Sequence, residues 1–170
     1  MKRWVIADLH FGHENILKYS NRPFKSVEEM DKSLIDNWNG IVSKDDLVFV
    51  LGDFILSHDK QYIKNIVNQL NGRKVLVRGN HDTLPNELYI EVGFNQVTKY
   101  PLYLTADNVI LMHKPIPIEN IHLDIKYIFG HVHDKYCTMD DLNNCYCVSV
   151  ERINYTPADL DKILKQIKTK

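Results

Sequence analysis

The sequence predicts an α/β fold in which two β-sheets have helices on their outer faces. Five short apolar runs are typical of buried strands, because continuous Val, Ile, Leu and Phe mark strands that are covered on both sides. Amphipathic helical patterns separate these runs in the first half of the chain, which indicates βαβ units. The five runs are residues 4–10, 47–53, 75–82, 109–113 and 127–133.

Two helices are predicted between the strands of the first half. Ser26 is a predicted N-cap with Glu29 three residues later, and apolar residues then recur at helical spacing as far as Ile41. A second helix is predicted over residues 59–70, where the apolar side chains share one face and the Asn-Gly pair ending at Gly72 stops the helix. Both helices are expected to cover a sheet.

The second half of the chain is richer in predicted strands. These are residues 95–104 with Pro101 as an interruption, 109–112, 126–129 and 146–151. Thr156 and Pro157 are expected to open a final helix, with proline at its first position. Neighbouring strands without long helices between them predict the second sheet.

Length and charge limit the class of protein. A chain of 170 residues predicts one domain over residues 1–170, with nothing left for a cap domain. The 21 Lys and Arg residues balance 22 Asp and Glu residues, so stable nucleic-acid or membrane binding is not expected. No segment resembles a signal peptide or a membrane span, which predicts a cytoplasmic location. The expected partner is a small molecule, and the oligomeric state is left open.

Each apolar run ends near side chains that can bind metals. Ligands of open α/β sheets bind beyond the carboxyl ends of the strands, so these side chains are expected to converge. A single His or Asp after a strand is usually a cap or a turn, but several such turns that all carry ligand atoms favour a metal site. Seven nitrogen and oxygen groups suit two adjacent ions that share a carboxylate. The candidates are Asp8, His10, Asp53, Asn80, His113, His131 and His133.

The candidate residues also form an ordered set of motifs. Asp-x-His, Gly-Asp, Gly-Asn-His-Asp, a single His and Gly-His-x-His follow one another at residues 8–10, 52–53, 79–82, 113 and 130–133. In this respect the chain resembles the calcineurin-like metallophosphoesterase superfamily, and residues 8–16 resemble a small bacterial and phage-encoded branch of it. The resemblance implies a four-layer αββα sandwich of two mixed β-sheets, with a dinuclear metal site at the strand ends.

The resemblance further implies which residues hold each ion and what the site does. One ion would be held by Asp8, His10, Asp53 and His133, and the other by Asp53, Asn80, His113 and His131. The implied reaction is hydrolysis of phosphate esters by attack of a metal-bridging hydroxide. Imidazole, carboxylate and amide ligands admit manganese, iron, zinc, nickel or cobalt, so the identity of the two divalent ions stays open.

Four further residues are candidates around the site. His81 follows Asn80 and is predicted to be the general acid, because the ordinary pKa of imidazole lies near neutrality; a purely structural histidine is the alternative. Asp82 is expected to orient the loop or a ligand. His13 either contacts the substrate or begins the next helix. Arg78 pairs either with the substrate phosphate or with a surface carboxylate.

The expected function is hydrolysis of nucleotide-sized phosphodiesters. A phosphomonoesterase is one alternative, and a catalytically weak binding or scaffold protein on the same fold, such as the retromer subunit that resembles these enzymes, is another. His81 favours the enzyme, because a scaffold does not need a proton donor whereas a phosphoesterase with a poor leaving group does.

Overall fold

Two mixed β-sheets form the centre of the computed structural model, which describes residues 1–169. The first sheet has the order β4-β3-β2-β1-β9 and consists of β1 (Arg3–Ile6), β2 (Leu47–Val50), β3 (Arg73–Val77), β4 (Gln96–Thr98) and β9 (Ala158–Asp159). The second has the order β5-β6-β7-β8 and consists of β5 (Leu102–Leu104), β6 (Val109–Leu111), β7 (Lys126–Phe129) and β8 (Cys145–Cys147). Strands β9 and β5 run antiparallel to their neighbours, and the other pairs are parallel.

The apolar strands of the first sheet are buried on both faces. Val5, Phe49 and Val75 lie side by side in register on β1, β2 and β3, and they pack toward the second sheet. The next residue of each strand points the opposite way and packs among the helices. Burial of each such side chain stabilises the fold by about 1.5–3 kcal/mol, which explains why these strands lack the polar alternation of a half-exposed sheet.

Helices cover the outer face of the first sheet. These are α1 (Ile16–Tyr19), α2 (Val27–Ile41), α3 (Lys60–Gln69) and α4 (Asn86–Val92). The predicted start of α2 is confirmed, because the Ser26 hydroxyl accepts a hydrogen bond of 3.2 Å from the backbone N–H of Glu29. The prediction for α3 is also confirmed, with Asp59 as its N-cap and Leu70 as its C-cap.

Loops and short 3-10 helices cover the outer face of the second sheet. Residues 118–120 and 138–141 form two of these helices, and Met139 is fully buried against Tyr127 and Phe129. Between the sheets, the core also receives apolar side chains of α5 (Leu160–Gln166). The architecture is therefore the predicted pair of mixed sheets flanked by helices. In the described part of the chain, no helix is long and apolar enough to cross a membrane.

The predicted start of the last helix is wrong. Thr156 and Pro157 do not begin it, because residues 158–159 first form β9 beside β1. Asp159 then caps α5, and its carboxylate accepts a hydrogen bond of 3.1 Å from the backbone N–H of Lys162. The edge of β1 therefore holds the chain extended for two residues beyond the proline.

The strand predicted over residues 146–151 is also wrong at its C-terminal end. Strand β8 stops at Cys147, and residues 150–152 form a 3-10 helix. Ser149 forms an isolated bridge with Ala7, which follows β1. The chain leaves the second sheet here and joins the first, so a continuous strand is impossible.

Asp46 is a buried carboxylate that ties β1 to the turn before β2. It accepts hydrogen bonds from the Trp4 indole at 3.0 Å, the Lys2 backbone at 2.7 Å and the Ser43 backbone at 3.0 Å. These bonds lower the pKa of Asp46 from 3.8 to about 2. Because the folded pKa lies below the ordinary value, the charged carboxylate stabilises the fold above about pH 4, and this contribution disappears as the pH falls toward 2.

We expect Asp46→Asn to lower the melting temperature at pH 7 and to differ much less from the wild type near pH 2. Thermal unfolding followed by circular dichroism at both pH values measures this. The adjacent and exposed Asp45 is the control, and Asp45→Asn should leave the melting temperature unchanged at pH 7. An Asp46→Asn deficit of equal size at both pH values would show that ionisation of Asp46 contributes no stability.

Candidate metal centre

Two groups of potential metal ligands lie beyond the ends of β1, β2, β6 and β7. The first group is Asp8, His10 and His133, and the second group is Asp53, His113 and His131. Within each group, one ligand atom from every residue lies within 4.8 Å of the others. The fold therefore brings these side chains together, as their positions after the strands predict.

Asp53 connects the two groups. Its Oδ2 atom lies 3.6 Å from His10 Nε2 of the first group and 3.4 Å from His113 Nε2 of the second. Asn80 joins the second group, because its Oδ1 lies 3.0 Å from the same His113 nitrogen. All seven predicted ligand residues thus lie around one centre, with a carboxylate oxygen between the two sets of imidazoles.

The backbone at the centre adopts an unusual conformation. Five of the candidate ligands have left-handed φ angles: Asp8 (60°), His10 (53°), Asp53 (51°), His131 (74°) and His133 (54°). This conformation costs about 1–2 kcal/mol for a residue with a side chain, and residues held in it cluster at functional sites. The chain bends sharply after each strand as a result, which lets residues two apart reach one centre.

Two glycines make room for the ligands. At Gly52, a Cβ atom would lie 2.4 Å from Nδ1 of His113, and the residue has a left-handed φ of 82°. At Gly79, a Cβ atom would lie 2.2 Å from Oδ1 of Asp53 and 2.5 Å from its backbone nitrogen. The Gly-Asp and Gly-Asn motifs therefore serve close packing of the ligands in addition to turn geometry.

We expect Gly79→Ala to displace Asp53, to destabilise the protein by about 1–3 kcal/mol and to reduce the metal bound per chain. Gly40 is the matched control, because it is an exposed residue of α2 with nothing within 4 Å of the added methyl group. Gly40→Ala should stabilise the protein by about 0.5–1 kcal/mol and leave metal binding unchanged. Chemical denaturation and metal analysis after dialysis measure both effects. Unaltered metal content in Gly79→Ala would contradict this role of the close contact.

Hydrogen bonds behind the centre orient the imidazole rings. Nδ1 of His113 lies 2.9 Å from the carbonyl of Leu51, and Nδ1 of His133 lies 2.9 Å from Oε1 of Glu151. Each bond leaves Nε2 of the ring available to bind an ion. His131 differs, because its Nδ1 atom lies 3.1 Å from His113 Nε2 and is the atom directed at the second group.

Unpaired buried atoms at the centre show that the residues fit a cation. Asp8 Oδ2 accepts hydrogen bonds from the His131 backbone at 2.8 Å and the Ser149 hydroxyl at 2.7 Å, whereas Asp8 Oδ1 has no hydrogen-bond partner in the described structure. His10 Nε2 is also buried there without a hydrogen-bond partner, since Asp53 Oδ2 lies 3.6 Å away. Burial raises the pKa of Asp8 to about 6 and lowers the pKa of His10 to about 2. Bound cations would satisfy both atoms.

In the second group, the buried carboxylate of Asp53 faces the buried imidazole of His113. Burial alone would raise the pKa of Asp53, but the hydrogen bond and charge of His113 and the backbone N–H of His81 lower it below its usual range. Burial likewise opposes the charge on His113, and the contact with Asp53 outweighs it and raises the pKa of the imidazole. Asp53 is therefore ionised, which is the form that binds metal.

Arg22 and Glu151 support the first group, and no sequence pattern indicated either residue. Glu151 Oε1 accepts a hydrogen bond of 2.9 Å from Arg22 Nε in addition to its bond with His133. The buried Arg22 guanidinium also donates to the carbonyls of Asp8 at 2.6 Å and Leu9 at 2.9 Å. This network holds the Asp8 loop against His133 through Arg22 and Glu151, which lie 129 residues apart in sequence.

The side chain of His81 is exposed at the edge of the centre. Its ring centroid lies 5.3 Å from that of His10 and 6.2 Å from that of His13. Its backbone N–H donates a 2.8 Å hydrogen bond to Asp53 Oδ1, so the position of the residue is fixed while the ring faces solvent. The ring is therefore accessible to a molecule bound at the centre.

Asp82 joins the two glycine-containing loops. Its buried carboxylate accepts hydrogen bonds from the backbone N–H groups of Asp53 at 2.8 Å, Phe54 at 3.0 Å and Gly79 at 2.8 Å. It has no place in either group of ligands. Its contacts set the distance between the loop that carries Asp53 and the loop that carries Asn80.

The side chains of His13 and Arg78 both contact other protein groups. Nδ1 of His13 lies 3.2 Å from Nδ1 of His10, so this buried ring contacts a candidate ligand, and α1 begins only at residue 16. The Arg78 guanidinium donates to the carbonyl of Asp82 at 2.8 Å and to Oδ1 of Asn86 at 3.0 Å. Arg78 is thus paired with a carbonyl and an amide rather than with a surface carboxylate.

Relatives of the chain occur in archaea and phages. An uncharacterized protein of Methanocaldococcus jannaschii is 40% identical over 171 residues, which covers 98% of this chain and 91% of that protein. The Gene 66 protein of Mycobacterium phage L5 is 38% identical over 81 residues, which covers 46% of this chain and 39% of the phage protein. These matches are consistent with a small single-domain branch of a larger family.

A solved structure has the same fold. The crystal structure of a protein of unknown function from Aquifex aeolicus has a TM-score of 0.76 and 27% identity, and it covers 96% of this chain and 98% of that one. The sequence pattern of one enzyme family, calcineurin-like phosphoesterase, matches residues 1–166. Together with the two Asp/His groups at the strand ends, this match shows that the chain belongs to the calcineurin-like phosphoesterase family.

Proposed function

We propose that the chain hydrolyses phosphodiesters of nucleotide-sized substrates with two divalent metal ions. Membership of the family already indicates metal-dependent phosphoester hydrolysis in general. The observation that carries the finer proposal is the position of Asp53 Oδ2 between His10 and His113, with the exposed ring of His81 beside it. This arrangement places a carboxylate that two ions could share close to a potential proton donor.

Each ion would have a distinct set of ligands. Asp8, His10 and His133 would hold the first ion and Asn80, His113 and His131 the second, with Asp53 shared between them. Two bound ions would supply Lewis-acid chemistry, clamping the phosphate oxygens and making a water molecule more acidic. The oxygen and nitrogen ligands suit manganese, iron, zinc, nickel or cobalt, and none of these ligands is a cysteine.

His81 would provide the proton for the leaving group. Its ring is exposed and next to His10, so it can approach the ester oxygen of a phosphate bound at the centre. An alkoxide that leaves a diester needs a proton, and an imidazolium donor at this position would supply it as the bond to phosphorus breaks. The hydrogen bond from the His81 backbone to Asp53 would hold this proton donor at a fixed position relative to the metal ligands.

The ratio of two rates tests the proposal. Metal-stripped protein receives manganese, nickel, zinc or magnesium one at a time, and hydrolysis of bis-p-nitrophenyl phosphate is compared with that of p-nitrophenyl phosphate. We expect metal-dependent turnover, with a higher kcat/KM for the diester. Faster turnover of the monoester would identify a phosphomonoesterase. Metal binding without turnover of either compound would favour a scaffold protein.

A further inference from the structure

A cleft of about 390 Å³ opens beside the second group of the metal centre. Asn80 and His113 line it and also belong to the centre, so the cleft and the centre share a wall. Pro101 and Ile116 contribute apolar surface to the cleft. Its volume lies in the range of sites that bind small molecules. We call it the lysine cleft, after the two lysines described next.

Lys99 and Lys114 give the cleft a positive charge. Both side chains are exposed, and neither forms a salt bridge within the described part of the chain. Arg78 also lines the cleft, but its guanidinium donates to protein groups. No Asp or Glu is among the described residues that line it. The cleft therefore combines an apolar surface with two cations that have no carboxylate partner, which suits an organic group with a negative charge.

The lysine cleft and the ring of His81 lie next to different groups of the centre. The His81 ring lies beside His10 of the first group, whereas the cleft is lined by Asn80 and His113 of the second. A phosphodiester has two organic groups on phosphorus. Where His81 protonates the leaving group, the other organic group remains on phosphorus and has the lysine cleft beside it.

We infer that the lysine cleft binds the organic group that stays on phosphorus, and that Lys99 and Lys114 select substrates in which this group carries a second phosphate. The inference rests on the proposed phosphodiesterase function. In the reaction, water adds to phosphorus, the bond from phosphorus to the leaving oxygen breaks, and that oxygen takes up a proton. For a nucleotide substrate, the retained product is then a nucleoside bisphosphate.

Two substrates with the same leaving group test this inference. Thymidine 5'-(p-nitrophenyl phosphate) and its 3'-phosphorylated form both release p-nitrophenol, so any difference between them comes from the retained group. With manganese-loaded protein, we expect kcat/KM to be about five- to tenfold higher for the 3'-phosphorylated compound, mainly through a lower KM. The advantage should shrink as the salt concentration rises.

Removal of the two charges should remove the preference. In the double variant Lys99→Met/Lys114→Met, the ratio of the two kcat/KM values should fall to about one. Lys165 is the control, because it is an exposed lysine of α5 that does not line the cleft. Lys165→Met should keep the ratio of the wild type.

Calorimetry supplies a readout without turnover. Thymidine 3',5'-bisphosphate should bind the manganese-loaded protein about five- to tenfold more tightly than thymidine 5'-phosphate, and the double variant should bind both equally. Equal kcat/KM values for the two esters in the wild type would overturn the inference and leave the phosphodiesterase function intact. Failure to hydrolyse either ester with two ions bound would overturn both.

Discussion

Asp53→Asn will lose most of its bound metal and at least about 10³-fold in kcat/KM for bis-p-nitrophenyl phosphate. The variant keeps the size of the side chain, and an amide oxygen can still accept the hydrogen bond from the His81 backbone. What changes is the atom between His10 and His113, where an oxygen with negative charge gives way to an amide group. Both ions would lose their shared ligand, so binding at both positions should weaken.

Metal content after dialysis and steady-state hydrolysis measure the two effects of Asp53→Asn. Asp36→Asn is the control, because Asp36 is exposed on α2 and, among the residues that the structure describes, has Lys32 as its only ion partner. The control should bind metal and hydrolyse substrate like the wild type. Two ions bound to Asp53→Asn with unchanged affinity would contradict a bridging role for this residue.

His81→Ala will bind metal normally but hydrolyse diesters with poor leaving groups about 10²–10⁴-fold more slowly. The effect should depend on the leaving group, since a general acid helps an alkoxide far more than p-nitrophenolate. His81 contributes its backbone N–H to Asp53, and alanine preserves that bond. The variant therefore separates proton donation from the structure of the metal centre.

A series of diesters with leaving groups of different pKa measures this dependence. The loss of rate in His81→Ala should grow as the leaving group becomes more basic. His122→Ala is the control, because His122 is exposed and lies outside both groups of ligands. An equal loss of rate across the whole series would assign His81 a role other than proton donor.

The long apolar runs predict their elements well, and the short elements escape prediction. Runs of apolar residues identify β2 and β7 without help from their surroundings, because a strand buried on both faces needs continuous apolar sequence. The seven residues of α4 give too few helical repeats for a reliable pattern. The two residues of β9 are extended only because the edge of β1 pairs with them, which no local pattern reveals.

Local sequence patterns also did not predict which strand belongs to which sheet. Residues 95–104 look like one strand with an interruption at Pro101. In the structure β4 joins the first sheet and β5 the second, so the chain crosses between sheets at this point. The choice depends on the partners β3 and β6, which lie elsewhere in the sequence.

The residues of the candidate site were likewise predictable only in part. The ligand groups follow strand ends, so the rule that strand ends converge is enough to place Asp8, Asp53 and His113 together. The supporting pair of Arg22 and Glu151 has no such rule, because a buried ion pair between distant residues leaves no spacing to recognise. The lysine cleft is missed for the same reason, since its cations come from separate loops.

A metal titration that follows binding and turnover in the same samples tests the central claim most directly. Metal-stripped protein is titrated with manganese, bound metal is determined per chain, and hydrolysis of bis-p-nitrophenyl phosphate is measured at each point. A two-ion centre around Asp53 predicts little activity in the metal-free protein and a maximum when two ions are bound per chain. Full activity without metal, or two bound ions without hydrolysis, would contradict the claim.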